Sequence, residues 1–155
     1  MRCNVGVNPK YLTDQWLIAE YRELPMVVGQ LRKNEWTIKS PVKDSFDLGK
    51  GHMNWFKMRL LYLHRRHVEV KIEMATRNFK HDLLSINENE IPCEFWNDWI
   101  PTIADSIKIR HRLMNKIVNN DNVLLTWWRF NGVNLSDGNI EEFLRNILCG
   151  ELYPV

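Results

Sequence analysis

The sequence predicts an all-α fold: a single compact domain of three main helices with long irregular connections and a short extra C-terminal helix. Three observations carry this. Apolar residues recur at helical spacing in three long stretches and one short one. Proline and glycine signals at Asn8-Pro9, Pro41, Pro92, Pro101 and Asn131-Gly132 punctuate the stretches. No segment shows the clear alternation of a half-buried strand. The chain has 155 residues, 45% of them apolar, which suits one domain with a real core.

The first helix follows Asn8-Pro9, with Thr13 or Asp14 as its cap. Leu17, Tyr21, Leu24, Val28 and Leu31 form its apolar stripe. Pro25 falls inside the pattern, removes a backbone donor and should kink the helix just after Glu23. Asn34 to Gly51 reads as a long loop, a length that is usually functional or mobile. A second helix is expected from about Asn54 to Asn78. Phe56, Leu60, Leu63, Val70 and Met74 make its core stripe, with Arg59, Arg65, Arg66 and Lys71 elsewhere on its surface.

Asp82 to Pro101 is irregular, anchored by Phe95, Trp96, Trp99 and Ile100. The third helix runs from about Thr102 to Asn119, burying Ile103, Ile107, Met114 and Ile117. Thr126 to Gly132 is an aromatic segment ending in a turn. Ser136 then opens a short helix with Ile140, Phe143, Leu144 and Ile147 on its apolar face, closed by Gly150.

Net charge is only +2, so bulk charge does not announce a nucleic-acid partner. Its distribution says more. Lys108, Arg110, Arg112 and Lys116 stand together with no acid among them, and Lys108, Arg112 and Lys116 keep i, i+4 spacing. Acids collect at Asp82–Asp98 and Asp137–Glu142. Cys3, Cys93 and Cys149 fit neither a disulfide framework nor a zinc spacing, and read as reduced thiols of a cytosolic protein. No apolar run reaches membrane-span length and no signal peptide is visible, so a soluble intracellular chain is expected.

The candidate chemistry sits on the first helix. Trp16, Glu20 and Glu23 share one strip of the helical wheel; Gln15, Ala19, Arg22 and Met26 share the next. A phosphate held by Arg22 would place a sugar near Glu23. On pattern alone Glu20 and Glu23 also read as ordinary solvated helix acids. Arg2 is bulky, so Met1 should escape removal and keep its α-amine. Such an amine is partly neutral near pH 7 and can form a Schiff base with a sugar aldehyde or an opened C1′. On pattern alone a flexible chain end is the plainer reading.

His64 and His67 lie at i, i+3 with no third ligand nearby, so no metal site is expected. His52 after Gly49-Lys50-Gly51 reads as a turn before a helix, since no P-loop pattern is present. Trp127, Trp128 and Phe130 suit base stacking and core packing equally.

Four blocks in order carry a resemblance. They are Ala19-Glu20-Tyr21-Arg22-Glu23-Leu24-Pro25, then Leu48-Gly49-Lys50-Gly51-His52, then Ile91-Pro92-Cys93-Glu94-Phe95 through Trp99-Ile100-Pro101, and finally Thr126-Trp127-Trp128. Over about residues 1–132 the chain resembles the endonuclease V-like pyrimidine-dimer DNA glycosylases with AP-lyase activity. Residues 133–155 have no recognised counterpart and are expected to form an extension packed on the same domain.

The resemblance implies a monomeric DNA-repair enzyme of the cytoplasm (the host cytoplasm for a phage-encoded chain). It would bind damaged double-stranded DNA, using no cofactor, metal or membrane. The N-terminal amine would attack C1′ of the dimer's 5′ nucleotide. Glu23 matches the catalytic glutamate that assists sugar-ring opening and β-elimination. The adenine opposite the lesion would flip out as the duplex kinks.

DNA contacts are expected from Arg2, Gln15, Arg22, Lys108, Arg112, Lys116, Trp127 and Trp128, with Trp16 and Met26 as pocket wall. Met1 takes the place of the family's nucleophilic Thr and Arg2 that of its basic neighbour. The path to Glu23 is one residue longer, around Asn8-Pro9. Trp16 stands where better-known members have His, and Met26 replaces a phosphate-contacting arginine.

Overall fold

The computed structural model describes residues 3–49, 52–119 and 124–150. Among these the chain is mainly helical: α1 (Asp14–Lys33), α2 (His52–Lys57), α3 (Leu60–Thr76), α4 (Ile103–Val118) and α5 (Ile140–Cys149). One antiparallel pair, β1 (Arg129–Phe130) and β2 (Val133–Asn134), has Phe130 opposite Val133, and short 3-10 turns lie at Pro9–Tyr11, Glu88–Glu90, Cys93–Phe95 and Leu125–Trp127. No described helix is long and apolar enough to cross a membrane. The described residues group into two compact units, one of residues 3, 20–49 and 52–100 and the other of residues 4–19, 101–119 and 124–150.

In the first unit the latter part of α1 buries Tyr21, Leu24, Val28 and Leu31 at the predicted spacing, with Val27 beside them. The expected single second helix is two. α2 ends at Lys57 and α3 begins at Leu60, because Arg59 leaves helical backbone (φ −139°, ψ 51°). Its guanidinium lies over the Trp55 ring and donates to the Trp55 carbonyl at 2.9 Å, which holds the break. The core stripe of Phe56, Leu60, Leu63, Val70 and Met74 is buried as predicted.

Arg66 is not on the surface as expected; it is buried. Phe46, Phe56 and Tyr62 gather around Trp99 at 5.0–6.0 Å between ring centroids, tying the loop of residues 34–49 to the helices. Phe95 is buried, whereas Ile100, expected as an anchor, is exposed.

In the second unit Thr13 caps α1, its Oγ1 accepting from the Trp16 N–H at 3.3 Å. Asp14 does different work: its carboxylate accepts from the N–H groups of Asn131 (3.1 Å) and Gly132 (2.8 Å). Those two residues have φ of 50° and 78°, which turns the chain back as a hairpin. The Asn-Gly turn was legible as a turn, but the two strands are too short to show alternation.

α4 opens with a full capping box between Thr102 and Asp105. Its buried face is Asp105, Ser106, Ile109, Arg110, Leu113 and Ile117. Ile103 and Ile107, expected inside, are exposed. On the buried face Asp105 belongs to the capping box and Arg110 donates to the Ile147 carbonyl, so hydrophobicity alone pointed to the wrong side. Gly6 (φ +66°) lies so close to Ser106 that a Cβ there would fall 1.6 Å from the Ser106 Oγ. α5 starts at Ile140, after Asn139, rather than at Ser136. Phe143 and Ile147 are its buried residues, and Arg110 donates to the Ile147 carbonyl.

Candidate active site

The turn of α1 from Glu20 to Met26 is fixed by α3 through three contacts. Glu20 is fully buried and meets Arg66: Nε donates to Oε1 at 2.8 Å and Nη2 to Oε2 at 3.3 Å. Arg66 also reaches Glu69 at 3.4 Å. Burial opposes the Arg66 charge, but the charge and hydrogen bond of Glu20 outweigh it and raise the pKa. Burial pushes the Glu69 carboxyl up, against the pull of Arg66. Glu20 is therefore no solvated helix acid; it is half of a buried ion pair.

The second and third contacts involve Tyr21. An α-helix would bond the Tyr21 carbonyl to the N–H of residue 25, and Pro25 has none. His67 supplies the missing donor, its Nε2 lying 3.0 Å from the Tyr21 oxygen. The carbonyl can only accept, so His67 carries its proton on Nε2. Burial lowers the His67 pKa to about 4, which keeps the ring neutral near pH 7. The rings of Tyr21 and His67 stack at 5.3 Å with 8° between planes. At its far end the Tyr21 hydroxyl accepts from the Leu84 N–H at 2.9 Å. α1 runs through Pro25 without interruption, and its open position is filled from outside.

Glu23 follows on this clamped turn. It is half-buried, and its Oε2 is shut off from solvent. Arg22, beside it in sequence, is exposed, as is Met26 one turn on. Met1 and Arg2 lie outside the described residues, as do Lys50 and Gly51.

The remaining candidates belong to the second unit. Trp16 is buried against Trp128, ring centroids 4.8 Å apart. Trp128 is itself buried, while Trp127 is 55% exposed. Gln15 uses both ends of its amide: Nε2 donates to the Trp127 carbonyl and Oε1 accepts from the Arg129 N–H. It thereby fastens the aromatic segment to the start of α1. Of the basic stripe on α4, Lys108 and Lys116 are exposed. Arg112 is half-buried and donates to Asn4 Oδ1 at 2.8 Å, and Arg110 is buried.

His64 and His67 each face a backbone carbonyl, those of Ile86 and Tyr21, and no metal-binding cluster occurs among the described residues. Sequence reasoning missed Arg66 and His67 as partners of the α1 turn. A signal existed: both fall between Leu63 and Val70, within the span of the α3 core stripe.

A carboxylate half out of solvent, on a rigid turn with an exposed arginine next to it, is the arrangement that proton transfer on an anionic substrate requires. A family model described as pyrimidine dimer DNA glycosylase matches residues 2–87, and the chain belongs to that family. It is accordingly a DNA-repair glycosylase, one that binds damaged DNA.

Proposed function

We propose that the protein excises ultraviolet pyrimidine dimers and then cuts the strand as an AP lyase, using the Met1 α-amine as nucleophile and Glu23 as acid and base. The amine attacks C1′ of the dimer's 5′ nucleotide. The glycosidic bond breaks toward the pyrimidine, which takes up a proton released by the amine. Glu23 delivers a proton to O4′ as the sugar ring opens, leaving a protonated imine at C1′. The Glu23 carboxylate then removes a proton from C2′. The C3′–O bond breaks, and the 3′ phosphate leaves with its electron pair. Water hydrolyses the imine and returns the amine.

The observation that carries this reading is the placement of Glu23, screened at one oxygen and carried on the clamped turn beside exposed Arg22. Arg22 then holds a phosphate, and Arg2, Lys108 and Lys116 add charge along the backbone. Of the two tryptophans assigned to DNA, exposed Trp127 is the one with a face to offer a base. Arg112 and Gln15 shape the surface while engaged with Asn4 and the aromatic segment.

The test is strand cleavage of dimer-containing duplex by three proteins: the native chain, Glu23→Gln, and a chain extended at its N-terminus by a few residues. Loss of cleavage in both variants is expected. Full cleavage by either would remove that group from the mechanism.

A second reading keeps the chemistry and changes the lesion. It is favoured by Met26, 58% exposed where the family's phosphate-contacting arginine would stand, and by Trp16 in place of a histidine. Excision rates on a panel of modified bases separate it from dimer repair.

A further inference from the structure

We infer that His67 is a positioning residue for the glycosylase reaction: it supplies the helix hydrogen bond that Pro25 cannot, and so sets the turn that presents Glu23. The inference rests on the assignment of Glu23 as the catalytic carboxylate.

Pro25 removes one hydrogen bond from the otherwise continuous α1 two residues after Glu23. Without an N–H at position 25, the Tyr21 carbonyl loses its helical partner in a region where Tyr21 is buried. A turn with a missing rung can bend or rotate, since kinks in helices arise at such gaps. His67 closes the gap from α3 with a 3.0 Å hydrogen bond. Its ring lies nearly parallel to that of Tyr21, so the imidazole cannot swing away without losing the stack. One buried side chain therefore fixes both the carbonyl and the ring of Tyr21.

Tyr21 is two residues from Glu23, and any rotation of this turn moves the carboxylate. Proton transfer to a sugar needs the carboxylate within hydrogen-bond reach of the reacting atom. A shift near 1 Å reduces rate by roughly a hundredfold, while binding through exposed arginines and lysines is little affected. Such a role predicts a split between kcat and KM, which general loss of packing does not.

The test compares His67→Phe, His67→Gln and the double variant Pro25→Ala/His67→Phe on dimer DNA. Folding of each is checked by thermal unfolding. His67→Phe keeps a ring on Tyr21 but no donor; its kcat is expected to fall about tenfold to a hundredfold with KM within about twofold. His67→Gln keeps a donor and should retain most of kcat. In the double variant the backbone N–H of residue 25 can bond the Tyr21 carbonyl again, so kcat should recover. Should His67→Phe alone be too unstable to assay, the double variant still decides. A folded double variant as slow as expected for the single one overturns the inference, as does full kcat in folded His67→Phe. Glu23→Gln, run alongside, separates the two claims: activity in that variant rejects Glu23 as the catalytic group and leaves the His67 result to be read by itself.

Discussion

At the scale of single residues, the turn of α1 that carries Glu23 is tied to α3 by a buried charge pair. Glu20 and Arg66 are both buried and bonded through two contacts. Removing Arg66 leaves the buried Glu20 charge stranded, which costs about 3–5 kcal/mol. Arg66→Met should therefore lower stability by that order in urea unfolding and Glu20→Gln by less, because Arg66 keeps Glu69; an unchanged midpoint in Arg66→Met would refute the pairing. His67 gives a second expectation. Its pKa is lowered by burial from 6.5 to about 4, so the unfolded chain binds more protons between those values. The His67 contribution is complete above about pH 6.5 and is lost as pH falls toward 4, with a slope approaching about 1.4 kcal/mol per pH unit. His67→Gln should flatten this part of the stability profile. Neither residue could be paired from sequence, because each partner on α1 lies 46 positions away.

At the scale of elements, α1 was legible and α4 was not. The α1 stripe is apolar at every predicted position and buried at each. On α4 the buried face includes Asp105, held in a capping box, Arg110, which donates to the Ile147 carbonyl, and Ser106, which packs against Gly6. Periodicity saw Ile103 and Ile107 instead, and both face solvent. The break between α2 and α3 escaped notice because nothing at Met58-Arg59 signals a turn; it is made by Arg59 reaching Trp55. Gly6 has both a left-handed backbone and no room for a Cβ, so Gly6→Ala should destabilise the chain clearly, by about 1–3 kcal/mol. Asp14, read as a possible cap, instead ties the hairpin turn through two backbone donors. Asp14→Ala should cost about 1.5–3 kcal/mol for each charged hydrogen bond lost, measurable as a lower unfolding midpoint.

At the scale of the whole molecule, a net charge of +2 means that DNA binding depends on where the cations sit rather than on their sum. Lys108 and Lys116 are exposed on α4 and Arg22 on α1, whereas Arg110 is buried and Arg112 is bonded to Asn4. Lys108→Ala should reduce the slope of log affinity against log salt by about 1, and Met26→Arg should steepen it by a similar amount. Family membership was readable from ordered motifs, and the match over residues 2–87 takes in the first two of them, at 19–25 and 48–52. The clamp beneath Glu23 was not readable, since it is made by contacts between segments distant in sequence. The central claim is that a terminal amine, with Glu23, performs the excision. Borohydride reduction during reaction with dimer DNA, followed by mass spectrometry of the peptides, tests it most directly. The account predicts one covalent DNA adduct, on the α-amine of Met1; an adduct on a lysine, or cleavage without any adduct, would contradict it.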